Sequence, residues 1–427
     1  MATPAQRTNT WILDEWYDQS VAGTTGGYSA FSTGSLWAWG HNENGMLAQN
    51  QDSGGPGNQY SRSSPVQIGT NTNWADIAAG GMEWEGGIAM KNDGTMWVWG
   101  RNSYGTLGLN QAPAQLAALS SPAQIPGTWG VRTDEDVYID RNNKASIKGN
   151  VMGIKADGTL WCWGGNGFGA LGTNQPHNTA YSSPVQVGTD TTWTSTMMGR
   201  DMGVFALKSD NTLWAWGRNP GRLGLNDTVH RSSPVQLPGT TWRSTRQGTG
   251  QHPLATKTDG SLWGWGGNNQ GQLGQNSTTN AGNSSPIQIS GTTWRTVTTM
   301  DDSSAATKTD GSLWTWGRNE KGELGQNNLT YLSSPTQVGT DGTWSNGTMR
   351  GRQEGGLVAK TDGSLWVWGI NDYGSLGLNQ QANNVKLSSP AQIPGTTWAT
   401  TTHTWNAPKY ATGSSQSCIT IKKSLFI

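Results

Sequence analysis

Residues 308–327 read Lys308-Thr-Asp-Gly-Ser-Leu-Trp-Thr-Trp-Gly-Arg-Asn-Glu-Lys-Gly-Glu-Leu-Gly-Gln-Asn327. Asp-Gly or a neighbouring residue supplies the positive φ angles of a tight hairpin. The alternation in Leu-Trp-Thr-Trp places both indoles on one face of a strand. Ser333-Ser-Pro-Thr-Gln337 follows, and its proline suits a strand start or a sheet edge. The unit recurs: Trp-x-Trp-Gly begins at Trp37, Trp97, Trp161, Trp214, Trp263, Trp314 and Trp366, at intervals of 49 to 64 residues. Such periods mark arrays of small supersecondary units. A lone tryptophan opens each following unit, at Trp74, Trp129, Trp193, Trp242, Trp294 and Trp344. The pattern predicts four short antiparallel strands per unit. The first starts at the lone Trp, the second ends at the Lys, the third is Leu-Trp-x-Trp, and the fourth is Pro-x-Gln. The residue between the paired indoles is small or modest (Ala38, Val98, Cys162, Ala215, Gly264, Thr315, Val367), as a face crowded by a neighbouring unit requires. No sustained 3.6-residue apolar period occurs, so helix content should be near zero.

Composition narrows the function classes. The 427 residues include 25 Trp and 61 Gly but only 4 Phe, and 13% are charged, against roughly 25% in ordinary domains. Lys plus Arg and Asp plus Glu both equal 28, so the cationic surplus that nucleic-acid binding needs is missing. No long apolar run suggests a membrane span, and the first residues have no apolar signal-peptide core. Cys162 and Cys418 are too few for a disulfide framework or a cysteine-rich zinc site.

The repeated Leu-Trp-x-Trp-Gly-x-Asn-x-x-Gly-x-Leu-Gly core resembles the regulator of chromosome condensation repeat family over nearly the whole chain. That resemblance implies an all-β β-propeller of four-stranded blades, usually seven. Residues 398–427 read as a partial eighth unit. Trp398 opens it, Lys409–Thr412 matches a second strand, and Cys418–Ile421 aligns with Leu-Trp-x-Trp. Thr3–Gln6 followed by Trp11 reads like Ser389–Gln392 followed by Trp398. The expectation is a single domain over 1–427 with eight blades, seven being the alternative. Residues 1–10 would supply a closing strand, 11–397 seven full repeats, and 398–427 the partial one. N- and C-terminal strands would then pair in the last blade, Pro4–Gln6 beside Cys418–Ile421, and remove the free edges.

Strand parity sorts the loops. Asp-Gly turns and Gly-Thr-Trp steps share one face and are short and uniform. First-to-second and third-to-fourth loops share the other face and vary, among them Gln51–Tyr60, Gln111–Leu119, Gly130–Asn150 and Gln380–Leu387. Variable loops on a rigid scaffold are where binding concentrates. The partner-binding candidates on that face are Glu83, Trp84, Glu85, Arg200, Asp201, His252, Asp301, Asp302, Arg350, Arg352, Glu354, His403 and Trp405. Trp84 and Trp405 stand outside the repeat positions, so they are candidate aromatic anchors or loop-packing residues. The charged insertion Gly130–Asn150 reads as a solvated loop, an extra hairpin or a protruding contact element.

No catalytic residue, metal or cofactor is assigned. Gly167-Phe-Gly-Ala-Leu-Gly172 has the spacing of a dinucleotide loop but is the repeat's own turn. The histidines His41, His177, His230, His252 and His403 are scattered without metal-site spacing. The repeated Lys and Asp read as hairpin and inter-blade structure. The function expected is a non-enzymatic structural or binding module, its partner another protein or a glycan, with no nucleic acid or membrane. Gly, Asn, Thr, Ser and Gln richness with low charge favours a virion or other assembly, such as a bacteriophage decoration, neck or tail accessory protein. One alternative is guanine-nucleotide exchange on a small GTPase, as in the eukaryotic founder of the family. The other is ultraviolet sensing, since the plant UV-B photoreceptor resembles this family; Gly239–Arg243 and Gly291–Arg295 are distantly similar to its Gly-Trp-Arg motif.

Overall fold

A computed structural model describes residues 34–40, 42–51, 62–78, 86–91, 93–129, 137–139, 149–198, 203–246, 251–278, 282–345, 350–352, 355–372, 375–379, 385–394, 410–412 and 417–423. Among them lie 28 strands and only single-turn 3-10 segments in place of helices. The strands fall into seven antiparallel sets of four. The sixth blade shows the plan: Trp294–Thr299, Ser303–Lys308, Leu313–Gly317 and Leu332–Gln337, from the inside outward. The second to seventh blades each follow it in chain order, and the first strands of successive blades meet around the centre. The first blade is made from both ends of the described chain. Tyr410–Thr412 and Ser417–Lys423 supply its two inner strands, and Gly34–Gly40 and Arg62–Gln67 its two outer ones.

Each repeated residue has a structural reason. Asp310 Oδ1 accepts the Ser312 N–H and Oγ–H at 2.9 and 2.6 Å, and Ser312 Oγ in turn accepts the Trp314 indole N–H at 2.8 Å. The chain Asp to Ser or Thr to Trp recurs at 93/95/97, 157/159/161, 210/212/214, 259/261/263 and 362/364/366. These side-chain hydrogen bonds hold the aspartates below the usual carboxylate range. In the second to seventh blades the lysine at the end of the second strand lies over the opening indole and the first indole of the pair; Lys308 Nζ is 4.7 and 3.8 Å from their centroids. A cation on a ring face contributes about 0.5–2 kcal/mol.

The second indole of each pair joins blades. Trp316 Nε1 donates to Gln272 O of the preceding blade at 2.9 Å, as Trp99, Trp163, Trp216, Trp265 and Trp368 do to Met46, Thr106, Ala170, Arg222 and Glu323. The last glycine of Gly-x-Leu-Gly permits this approach. A Cβ on Gly172 would stand 2.7 Å from Trp216 Nε1, and one on Gly377 2.8 Å from Trp39 Nε1. The asparagine two residues on takes a positive φ at Asn50, Asn110, Asn174, Asn226, Asn276, Asn327 and Asn379. Its N–H donates to the next blade's fourth strand, at Ser120, Ser182, Ser232, Ser284, Ser333, Ser388 and Ser63. The last of these bonds leads from the seventh blade back to the first, so the circuit closes after seven.

On blade number the structure takes the seven-blade alternative rather than eight. Tyr410–Thr412 is a first strand, not a second, and Cys418–Ile421 is a second strand, not a third. The Leu36–Trp39 strand already occupies the third place and needs an inner partner. Ser417–Lys423 thus has a strand on each side, which leaves no edge for Pro4–Gln6; the predicted N-terminal strand lies outside the described residues. Closure by strands from both ends of the chain holds, with Gly34–Gly40 as the N-terminal contributor. Within the 130–150 insertion, Val137–Ile139 is the innermost strand of the third blade, so part of that segment is scaffold. Trp129 keeps the buried place of an opening indole without itself lying in the strand. Among the described residues, no helix is long and apolar enough to cross a membrane.

Candidate binding face

Parity places the first-to-second and third-to-fourth loops at one end of the propeller, and two clusters of side chains stand out there. The first spans the fifth and sixth blades. Asp301 and Asp302 form the hairpin between Trp294–Thr299 and Ser303–Lys308, and both are half-buried. Arg318, leaving the third strand, lies 3.7 Å from Asp301 and pairs with Glu320, to which the Tyr331 hydroxyl also donates. The hydrogen bonds from Tyr331 and Arg318 hold Glu320 below the usual carboxylate range. Gln272 donates to Asp302 Oδ1 at 3.2 Å, tying the two blades together.

The second cluster spans the third and fourth blades. Phe168 sits at the apex of the Gly167–Gly169 turn with a φ of 55°. His230 meets its ring edge-on at 4.8 Å, His177 at 5.8 Å, and the Arg218 guanidinium lies 5.3 Å from its centroid. Burial first, then the charges of Arg218 and His177, lowers the His230 pKa. His230 Nδ1 accepts the Asn219 N–H at 2.9 Å, so its neutral form fits this turn best. The face therefore carries a carboxylate-rich sector beside a guanidinium–imidazole–aromatic sector.

Of the predicted contact residues, Asp301 and Asp302 are in the first cluster. Arg350 and Arg352 lie on the innermost strand of the seventh blade. Glu83, Trp84, Glu85, Arg200, Asp201, Glu354, His403 and Trp405 lie outside the described residues. His252 is fully buried, so it joins blades rather than presenting a surface. Ser304 Oγ donates to Gln272 O at 2.8 Å, so it must accept the proton of His252 Nε2, 2.7 Å away. Nδ1 is then a bare acceptor with no partner. Sequence reasoning missed Arg318, Glu320, Tyr331, Phe168, Arg218, His177 and His230 as contact candidates. For Phe168 the signal was at the turn apex, where Asn44, Tyr104, Phe168, Gln270 and Lys321 differ within Asn-x-x-Gly, a motif the fourth blade shortens to Asn219-Pro220-Gly221.

Burial, with the Arg222 charge adding, pushes the His252 pKa down to about 3. The unfolded imidazole titrates near 6.5, so native stability from this group is complete above that value. It is lost as pH falls from 6.5 toward 3, because only the unfolded chain takes up the proton. Between pH 6.5 and 5 the loss from this residue is at most about 2 kcal/mol. His252→Leu should flatten the pH dependence of the urea midpoint in that range, and an unchanged slope would show that other groups set it.

Four-stranded blades arranged in a closed ring define a β-propeller, built here from a repeated unit with indole staples between neighbours. The sequence model of the regulator of chromosome condensation (RCC1) repeat matches residues 157–204, 259–301, 310–345 and 362–401. Those residues carry RCC1 repeats, and the fold is an RCC1-like β-propeller. It is 27% identical over 218 residues to the ultraviolet-B receptor UVR8 of Arabidopsis thaliana, covering 47% of this chain and 41% of that one. Protein RCC2 of Homo sapiens is 38% identical over 86 residues, 20% of this chain and 16% of that one. The mitochondrial RCC1 domain-containing protein RUG3 of Arabidopsis thaliana is 25% identical over 318 residues, 71% and 66%. The chain thus spans less than two thirds of each of these relatives. Human WBSCR16 superposes with a TM-score of 0.73 at 19% identity, covering 92% of this chain and all of the other. Prp20p of Saccharomyces cerevisiae superposes with 0.73 at 18%, covering 93% of each.

Proposed function

We propose that the chain is a non-enzymatic binding propeller that holds a protein partner on its variable-loop face. The observation that carries this reading is the asymmetry between the two ends. Hairpins and Gly-Thr-Trp steps repeat the same Asp, Ser or Thr, Lys and Trp contacts. The opposite loops instead present the Arg318–Glu320–Tyr331 network and the Phe168 cluster, each found in one place only among the described residues. Arginine and aromatic side chains are the usual anchors of protein interfaces. Prp20p, which shares the fold, has reported binding properties toward Gsp1p and histones, in keeping with a propeller that receives proteins. The narrower reading, a virion component, is supported by composition alone; recovery in purified particles rather than free in the cytosol is its test. Nucleotide exchange would show as accelerated nucleotide release from a small GTPase, and ultraviolet sensing as a change in size-exclusion volume after UV-B. The indoles at Trp242 and Trp294 are buried at the ordinary first-strand position, which fits packing rather than sensing.

The binding face is tested with exposed residues whose loss leaves the scaffold intact. Val229 is 58% exposed and Tyr331 37%. Val229→Asp with Tyr331→Asp should weaken capture of the native partner roughly tenfold or more. Thr309→Glu, on an exposed hairpin of the other face, should leave capture unchanged. The reverse pattern would place the partner on the uniform face.

A further inference from the structure

The uniform face has one departure from its own regularity. In the fourth and seventh blades the lysine lodged over two indoles also has a carboxylate: Asp190 lies 3.0 Å from Lys208 Nζ, and Asp341 2.6 Å from Lys360 Nζ. Both acids come from six-residue steps, Gly188-Thr-Asp-Thr-Thr-Trp193 and Gly339-Thr-Asp-Gly-Thr-Trp344. The sixth blade has the shorter step Gly291-Thr-Thr-Trp294, which carries no acid. Among the described residues, no carboxylate comes within ion-pairing distance of Lys308. Asp310, on the same hairpin, commits one oxygen to Ser312.

Beside Lys308 the fifth and sixth blades leave a cleft of about 400 Å³, lined by Trp294, Trp314, Lys308, Gln275, Asn276 and Ser334. Trp294 is 1% exposed, and its Nε1–H finds no acceptor. The opening indoles Trp74, Trp129, Trp193 and Trp344 are likewise without an acceptor, whereas Trp242 donates to Pro238 O at 3.1 Å. The cleft thus combines an ammonium group lacking a carboxylate, indole walls, two carboxamides and a hydroxyl. Asp190 and Asp341 show within the same chain which group completes such a lysine.

We propose that this cleft binds an acidic sugar residue, a hexuronate of a polysaccharide, whose carboxylate takes the place on Lys308 that Asp190 and Asp341 take on Lys208 and Lys360. A carboxylate on an ammonium is a charge-assisted pair, among the stronger polar contacts. The cleft is far roomier than an aspartate or glutamate side chain needs and lies within the size range of small-molecule sites. Gln275 Oε1, Asn276 and Ser334 can serve ring hydroxyls, and the partly buried Trp314 ring can receive the apolar C–H groups of a pyranose. The site is independent of the variable-loop face, so either can stand without the other.

Calorimetric titration of the full chain with a tetragalacturonate, its neutral galactose counterpart and polyglutamate is the test. The uronate should bind, the neutral oligomer at least about tenfold more weakly, and polyglutamate more weakly than the uronate. Lys308→Met, which keeps the packing between the indoles, should lose uronate binding by a similar factor. Inserting Asp-Thr between Thr292 and Thr293 recreates the fourth blade's step and should abolish binding at an unchanged melting temperature; this variant decides the matter if Lys308→Met does not fold. No uronate binding by the natural chain, equal binding by the insertion variant, or polyglutamate matching the uronate would overturn the proposal, the last assigning the cleft to an acidic protein.

Discussion

Deleting residues 410–427 should cost most or all of the folding free energy, on the order of 5 kcal/mol or more of the 5–15 typical of a folded domain. Ser417–Lys423 pairs along the whole of Gly34–Gly40. Without it Leu36, Ala38 and Trp39, all fully buried, lose one wall of their surroundings. The damage passes to both neighbours. Gly377 and Asn379 of the seventh blade rest on Trp39 and Ser63, and Gly34 pairs with Trp74 of the second. Urea unfolding followed by tryptophan fluorescence and far-UV circular dichroism measures the effect. A lower midpoint, with the two signals no longer coincident, is expected of an opened ring. A truncated chain that unfolds at the full-length midpoint would mean that these strands do not close it.

Trp316→Ala should destabilise by about 3–5 kcal/mol, the range for large aromatic truncations in a core. The indole is fully buried at the junction of the fifth and sixth blades, packed with Leu254, Leu262, Ile289 and Trp294. Its N–H is one of two donors on Gln272 O, the other being Ser304 Oγ. Trp316→Phe keeps much of the apolar contact and removes the hydrogen bond, so it should cost less, about 1–2 kcal/mol. Trp314→Phe is the internal comparison. That indole is only partly buried and bonds within its own hairpin to Ser312, so its loss should be smaller than that of Trp316→Ala. Equal costs at 314 and 316 would contradict the inter-blade role given to the second indole.

Much of the architecture was legible because it is written in local, repeated chemistry. Asp-Gly hairpins and alternating Leu-Trp-x-Trp strands need only near neighbours to be read, and both appear where the spacing predicts; the fourth strands begin three or more residues before their proline, which lies within the outer edge strand. The roles of the repeated Lys, Asp and Asn as structure were legible for the same reason. The blade count was not. Cys418–Ile421 alternates like a third strand, and only its pairing with Gly34–Gly40 reveals a second strand. A strand's place in a blade depends on which edges are already taken, and that is a non-local fact. The binding face was half legible. Strand parity located the variable end, but residue type could not separate the half-buried Asp301 from His252 in the core, since both precede a second strand. The contacts of Phe168 with His177, His230 and Arg218 join loops of two blades, and no spacing within one repeat announces them.

By itself, then, the sequence determined the repeated unit, the all-β class, the identity of the structural tryptophans and the end of the scaffold that varies. Each follows from short-range sterics and two-residue periodicity, which the chain carries wherever it goes. The tertiary structure alone decided that the ring closes at seven, that Val137–Ile139 belongs to the scaffold, that His252 is buried, and that Lys308 stands beside a cleft while Lys208 and Lys360 have acids of their own. Those outcomes depend on which neighbour fills a given space, and packing between blades settles that only once the ring is complete.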